Sequence, residues 1–160
     1  VFDGFQRGIY PEYDSAIHDQ LFSGRFLRFG SYGEPVLIPI DIVRHLAQLV
    51  DGHTGYTHQW RRDEFQEYRS FFMASTHTEE HRNHATSKGW RFFNATNSAE
   101  PIDGAIICPA SLEAGKRLTC DQCRACNGSH NNDTRRSVQI ATHGGFGQMA
   151  ASKQLAVLNS

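Results

Sequence analysis

Residues 71–94, FFMASTHTEEHRNHATSKGWRFFN, decide the fold class. Phe71-Phe72-Met73-Ala74-Ser75 is a short apolar run with the look of a buried strand. Thr76 and Glu79 have the spacing of a capping box that opens a helix, and Gly89 stands where that helix would stop. Trp90-Arg91-Phe92-Phe93-Asn94 then reads as a second strand. Strand, helix and strand in about two dozen residues predict a right-handed crossover between parallel strands.

The same rhythm extends in both directions. Upstream, residues 1–24 read as helix and loop. Phe26-Leu27-Arg28-Phe29-Gly30 reads as a strand that ends in the turn Ser31-Tyr32-Gly33-Glu34-Pro35. Ile42, Val43, Leu46, Leu49 and Val50 recur at helical spacing, with Gly52 as a stop. Gly55-Tyr56-Thr57-His58-Gln59-Trp60 is a further strand candidate. Asp63 is placed to cap a helix whose third position is Gln66. Downstream, Ala105-Ile106-Ile107-Cys108 and Ser137-Val138-Gln139-Ile140-Ala141-Thr142 complete a count of about six strands. The expected fold is α/β: a mostly parallel sheet, partial barrel-like or open, with a cysteine-rich metal loop near the C-terminus.

A chain of 160 residues, 39% hydrophobic and 11% aromatic, can bury one core. The expected division is a single α/β domain over 1–146, containing the metal loop 108–128, and a tail over 147–160. The formal net charge of -1 exerts no general pull on nucleic acid or anionic lipid, which argues against nucleic acid as a partner. No apolar run approaches the roughly 20 residues that span a bilayer, which argues against a membrane role.

The chemistry is concentrated in the cysteines. All four lie between Cys108 and Cys126, and Cys120, Cys123 and Cys126 follow C-x-x-C-x-x-C. Disulfides there would tie one loop to itself, whereas small secreted scaffolds use them to staple distant segments. A metal in a reducing compartment is the better reading, and it places the chain in cytoplasm. Two residues between thiolates let one turn aim successive sulfurs at one centre. Three such sulfurs in a single loop suit a face of a cubane, each taking a different iron, with Cys108 as the fourth ligand. The expected cofactor is therefore an iron–sulfur cluster, 4Fe-4S in type. A zinc ion held by the same four thiolates is the alternative.

Unusual polar residues also gather at the ends of the expected strands, where parallel α/β folds bind ligands. His58 and Glu34 are the candidate acid–base residues, since histidine titrates near neutrality. Tyr32, Gln59 and Trp60 would form a face for a small molecule or protein partner. Ser75, Thr76, His77 and His143 stand at other strand ends. His77, His81 and His84 lack the order of a zinc-protease motif and read as a solvated helix face. Arg61-Arg62 and Arg135-Arg136 read as surface charge, with phosphate binding as the sharper alternative. Gly144-Gly145-Phe146-Gly147 lacks the lysine of a phosphate loop and reads as the start of the tail.

Several of these segments occur together elsewhere. Arg28 through Pro35, Gly52 through Trp60, Cys108-Pro109-Ala110-Ser111 with Gly115-Lys116, Thr119 through Cys126, and Ala141-Thr142-His143-Gly144 stand in this order in a chain that resembles an uncharacterised phage and bacterial cysteine-cluster family. The resemblance covers nearly the whole chain. It implies a second cysteine group N-terminal to Gly8-Ile9-Tyr10-Pro11, which this sequence lacks. It also implies a phage or bacterial origin, hence host cytoplasm or a virion as location, but no activity. Two cysteine clusters on an α/β scaffold are similar to radical-type iron–sulfur enzymes, yet the C-x-x-x-C-x-x-C of those enzymes is absent. The function expected first is an iron–sulfur cluster-binding protein working in redox or radical enzymology. The alternative is a structural or interaction protein, such as a virion component, whose metal only stabilises the C-terminal loop.

Overall fold

The computed structural model describes residues 2–98, 100–115 and 118–142. Lys116, His143, the glycine-rich run 144–147 and the tail expected over 147–160 lie outside the described residues. In chain order the elements are α1 (Phe2–Gln6), α2 (Ser15–Phe22), β1 (Phe26–Arg28), α3 (Ile40–Leu49), β2 (Gly52–Thr54), β3 (Tyr56–Thr57), β4 (Met73–Thr76), α4 (Glu79–Ser87), β5 (Phe92–Thr96), β6 (Ala105–Ile107), α5 (Cys120–Cys123) and β7 (Ser137–Ala141). Short 3-10 turns occupy Pro35–Leu37, Asp63–Ser70 and Leu112–Ala114.

Strands β3-β4-β5-β7-β6 form one open, wholly parallel sheet, and β1-β2 form a separate parallel pair. The α/β class and the mostly parallel sheet are therefore present. Of the two shapes expected, the open one is found, and the described strands do not close into a barrel.

The order of the strands places the cysteines. The connection from β4 to β5 advances across the sheet, whereas that from β6 to β7 steps back. Right-handed crossovers must then lie on opposite faces. The register agrees. Ala74 pairs with Phe92 on one face, in a buried cluster with Ala85 of α4, Trp60, Phe72 and Trp90. Phe93 pairs with Val138 on the other. Tyr56 stands on that second face, its ring 4.2 Å from the ring of Phe93. The long connection from β6 to β7, residues 108–136, covers this face, and its only helix among the described residues is the one-turn α5.

Several local expectations are displaced. The strand expected over 55–60 is only Tyr56–Thr57. Beyond it the chain turns inward to bury Trp60 completely, and the indole N–H donates to the Ser75 carbonyl at 3.0 Å. Gly52 begins β2 rather than stopping α3, because the extended residue Val50 already ends the helix. Asp63 opens a 3-10 turn without a side-chain cap, and the Gln66 amide instead donates to the carbonyls of Trp60 at 2.7 Å and Arg62 at 3.0 Å.

The cap of α4 also moves. Thr76 remains in β4, its hydroxyl donating to Asn94 Oδ1 at 3.1 Å. Thr78 is the N-cap, accepting the His81 N–H at 3.2 Å. The pairing with β5 holds Thr76 extended, so the helix must start two residues later than its sequence signature. Thr78→Ala should cost about 1 kcal/mol of stability, as lost caps do. A urea melt checks this; an unchanged midpoint would show that the cap is dispensable.

Candidate metal centre

Cys108 follows β6 directly, and its N–H donates to the Gln139 carbonyl of β7 at 2.7 Å. This bond extends the ladder by one residue and fixes where the cysteine leaves the sheet. Ser111 N–H then closes a turn on the Cys108 carbonyl at 2.9 Å. Cys120 and Cys123 are the first and last residues of α5, so they sit one turn apart on the same side. A reciprocal cap between Thr119 and Gln122 starts that turn. Arg124 ends it in the left-handed conformation, with φ of 54°.

Arg124 also ties the turn to the β1-β2 pair. Its guanidinium donates to the Asp51 carbonyl at 3.0 Å and forms an ion pair with the Asp51 carboxylate. Two residues later the Cys126 carbonyl accepts from the Thr54 hydroxyl at 3.0 Å and from Gly55 N–H at 3.3 Å. Gly128 then passes against the backbone of Arg69, Ser70 and Phe71, with φ of +82°.

These anchors bring all four cysteines to one small cleft, walled on the sheet side by Tyr56 and Val138. It offers about 20 Å³ of water-sized space. Cys120 is exposed, and the other three are half-buried. Burial pushes the Cys126 thiol up to about 12 and also raises that of Cys108, so thiolates in this cleft need a positive partner. Tyr56 lines the cleft beside Cys126 and Thr54. Burial holds its pKa above the usual phenol value. The cysteines share a cleft without being closed on an ion: among the described residues, no group of three or more His, Cys, Asp or Glu is arranged to hold a metal. The structure thus brings the four cysteines together but does not support the metal loop expected from the sequence.

No family model, curated protein or solved structure matches this chain. The reading of the site therefore rests on its own geometry.

The other expected site residues fall into two groups. Glu34 and His58 meet at the carboxyl end of β3. The Glu34 carboxylate accepts the Thr57 hydroxyl at 2.7 Å and the His58 N–H at 3.1 Å, and lies 2.9 Å from His58 Nδ1. An ionised carboxylate only accepts, so Nδ1 carries the proton, and in the neutral imidazole Nε2 then keeps its lone pair. The His58 side chain is 63% exposed, which leaves it able to take a proton from a bound molecule. His77, at the end of β4, stacks on it with ring centroids 6.2 Å apart. Glu34→Gln should weaken the preference for the Nδ1-protonated imidazole, readable in the ring nitrogen shifts by NMR. Dominance of the Nε2-protonated form in the unaltered protein would contradict this assignment.

Tyr32 is almost fully exposed, Gln59 is half-buried, and Trp60 lies wholly in the core. Trp60 therefore cannot present a partner face. His77 and His84 are exposed, as expected of a solvated face, and His81 is half-buried; the rings of His81 and His84 stand edge-on to the indole. Of the basic pairs, Arg62 is paired with Glu64 and Arg135 with Asp133. No helix among the described residues is long and apolar enough to cross a membrane.

Sequence reasoning passed over Thr57, Tyr56 and Arg91. Thr57 was hidden because its role depends on a carboxylate 23 residues away. Arg91 did leave a signal: a charge inside the apolar run Trp90-Arg91-Phe92-Phe93 must either break the strand or be satisfied within the fold.

Proposed function

We propose that this chain is a metal-thiolate protein, with Cys108, Cys120, Cys123 and Cys126 holding one iron–sulfur centre. The observation that carries the proposal is that four cysteines from two separate stretches of chain line one cleft. A loop of residues 108–136 could have scattered them over a whole sheet face. The C-x-x-C-x-x-C spacing favours a cubane, and the sulfur-poor remainder of the chain leaves Cys108 as the fourth ligand. When bound, such a centre supplies one-electron transfer. The chain's own contribution is to hold the sulfurs and to exclude water with Tyr56 and Val138. Glu34 and His58 would manage a proton at the carboxyl end of the sheet. Membership of the phage and bacterial cysteine-cluster family belongs to the same proposal.

A second reading is a zinc staple without redox chemistry, in a protein whose role is structural. The small free volume favours it: about 20 Å³ of water-sized space accommodates a single ion, since one water needs roughly 10–15 Å³. A cubane would require the loop to open outward, which the exposed Cys120 permits.

The common claim, a single centre with four thiolate ligands, is tested by alkylation and mass spectrometry of protein purified without air. All four thiols should resist iodoacetamide together and become reactive together when the metal is stripped. Protection of fewer than four, or of none, would overturn it.

A further inference from the structure

A groove opens at the amino end of β5, on the opposite edge of the sheet from Glu34 and His58, with about 530 Å³ of water-sized space. Three segments line it: residues 69–70, 88–89 and 129–132. An adjoining cleft shares Gly89, Ser129 and His130 with it and reaches Arg91, Asp133 and Arg135. Backbone bonds fix the walls. Ser129 N–H donates to the Arg69 carbonyl at 2.7 Å, and the Ser129 hydroxyl accepts the Arg91 N–H at 2.6 Å. Asp133 N–H donates to the His130 carbonyl at 3.1 Å, and His130 N–H returns a bond to the Asp133 carboxylate at 3.2 Å. Arg69 lies over Gly89, where a Cβ would stand 3.9 Å from its Nε.

Positive charge collects here, in a chain whose formal net charge is -1. Arg69, Lys88, Arg91 and Arg135 line the two cavities against one carboxylate, Asp133. Arg135 engages that carboxylate at 2.8 and 2.6 Å, and Lys88 is paired with Asp63 at 2.8 Å. Arg69 takes part in none of the ion pairs found among the described residues. Buried Arg91 donates to the carbonyls of Gly128 at 3.0 Å and Arg136 at 2.6 Å, and its Nε has no partner. Asp133 attracts it and Arg135 repels it. Carbonyl dipoles alone do not balance a buried cation.

We infer that the groove binds a small phosphate ester, its phosphoryl group seated between Arg69 and the turn 129–132, with Arg91 supplying fixed positive charge from the adjoining cleft. This does not depend on the metal-thiolate reading. The exposed side chains of His130, Asn131 and Asn132 bring further donors from a separate segment. A carboxylate presents two oxygens, whereas a phosphoryl group presents three and carries a second charge, so donors arriving from several segments suit the phosphoryl group. A nucleic acid would need a longer basic track, and the net charge opposes it.

The test is titration of isotope-labelled protein with inorganic phosphate and, separately, with phenyl phosphate, followed by amide NMR shifts. Saturable shifts should centre on Gly89 and residues 129–132, and the ester should bind at least as tightly as the free ion. Arg69→Gln should weaken binding about tenfold or more, as loss of a charge-assisted bond does. Arg44→Gln removes the same charge from an exposed pair with Glu67 elsewhere and should bind within about twofold of the unaltered protein. The Arg69 side chain is exposed, so Arg69→Gln should melt within about 1 °C of the unaltered protein. If it does not fold, Arg69→Lys takes its place, keeping the charge but losing the fork, with binding about threefold weaker. Equal weakening in the Arg69 and Arg44 variants, shifts that do not saturate, or acetate binding as tightly as phosphate would overturn the inference. So would exclusion of the ester, or a single-stranded oligonucleotide that occupies this groove far more tightly than either phosphate.

Discussion

Cys126→Ser should abolish the centre, with bound metal falling below about a tenth of that in the unaltered protein, because each ligand is needed to close the site on its metal. Of the four cysteines this one is the most constrained. Its carbonyl is held by Thr54 and Gly55, so the backbone cannot shift to offer a substitute ligand. It lines the cleft with Tyr56, and burial pushes its thiol up to about 12. The exposed Cys120 is different: a serine there can be replaced by an outside thiol or water, so Cys120→Ser should retain part of the metal. Metal analysis of the two variants side by side checks this order. Equal retention by both would mean that burial of the ligand is irrelevant.

Gly128→Ala should be the most destabilising small substitution in the cysteine connection, at about 3 kcal/mol. Two effects add. A Cβ at this position would stand 2.6 Å from Phe71 N, 2.6 Å from the Ser70 carbonyl carbon and 2.7 Å from the Arg69 carbonyl oxygen. All three are backbone atoms and cannot rotate away. The φ of +82° is also strained for any residue with a side chain. Relief requires the connection to lift from the Arg69–Phe71 backbone, which would break the bond from Ser129 N–H to the Arg69 carbonyl. A melting midpoint lower by roughly 6–12 °C is expected for a chain of this size. Because the lifted segment follows Cys126, metal binding should weaken as well. A midpoint within about 1 °C of the unaltered protein would show that the connection is not packed as described.

The fold was readable where hydrophobic pattern and turn signals agree. Residues 71–94 announced strand, helix and strand because both strands are short apolar runs and α4 is polar enough to stand apart from them. The errors came where tertiary pairing overrode local signature: β5 keeps Thr76 extended past its apparent cap, and the demand to bury Trp60 ends β3 after two residues. The candidate site divides in the same way. The cysteine spacing was visible, but that Cys108 returns to the other three follows from the back-step of β6 to β7, which no local pattern encodes. Glu34 and His58 were each conspicuous at a strand end, yet their pairing depends on the turn 29–35 folding over β3. Arg91 could be noticed as misplaced in an apolar run, but not matched to a partner without knowing which face residues 108–136 cover.

The identity of the centre is decided by assays of iron, acid-labile sulfide and zinc in protein purified without air, together with its visible spectrum. Brown protein is expected, with iron and sulfide in equal amounts and loss of both on exposure to oxygen and chelator. Colourless protein without iron, whether empty or carrying zinc, would contradict an iron–sulfur centre at Cys108, Cys120, Cys123 and Cys126.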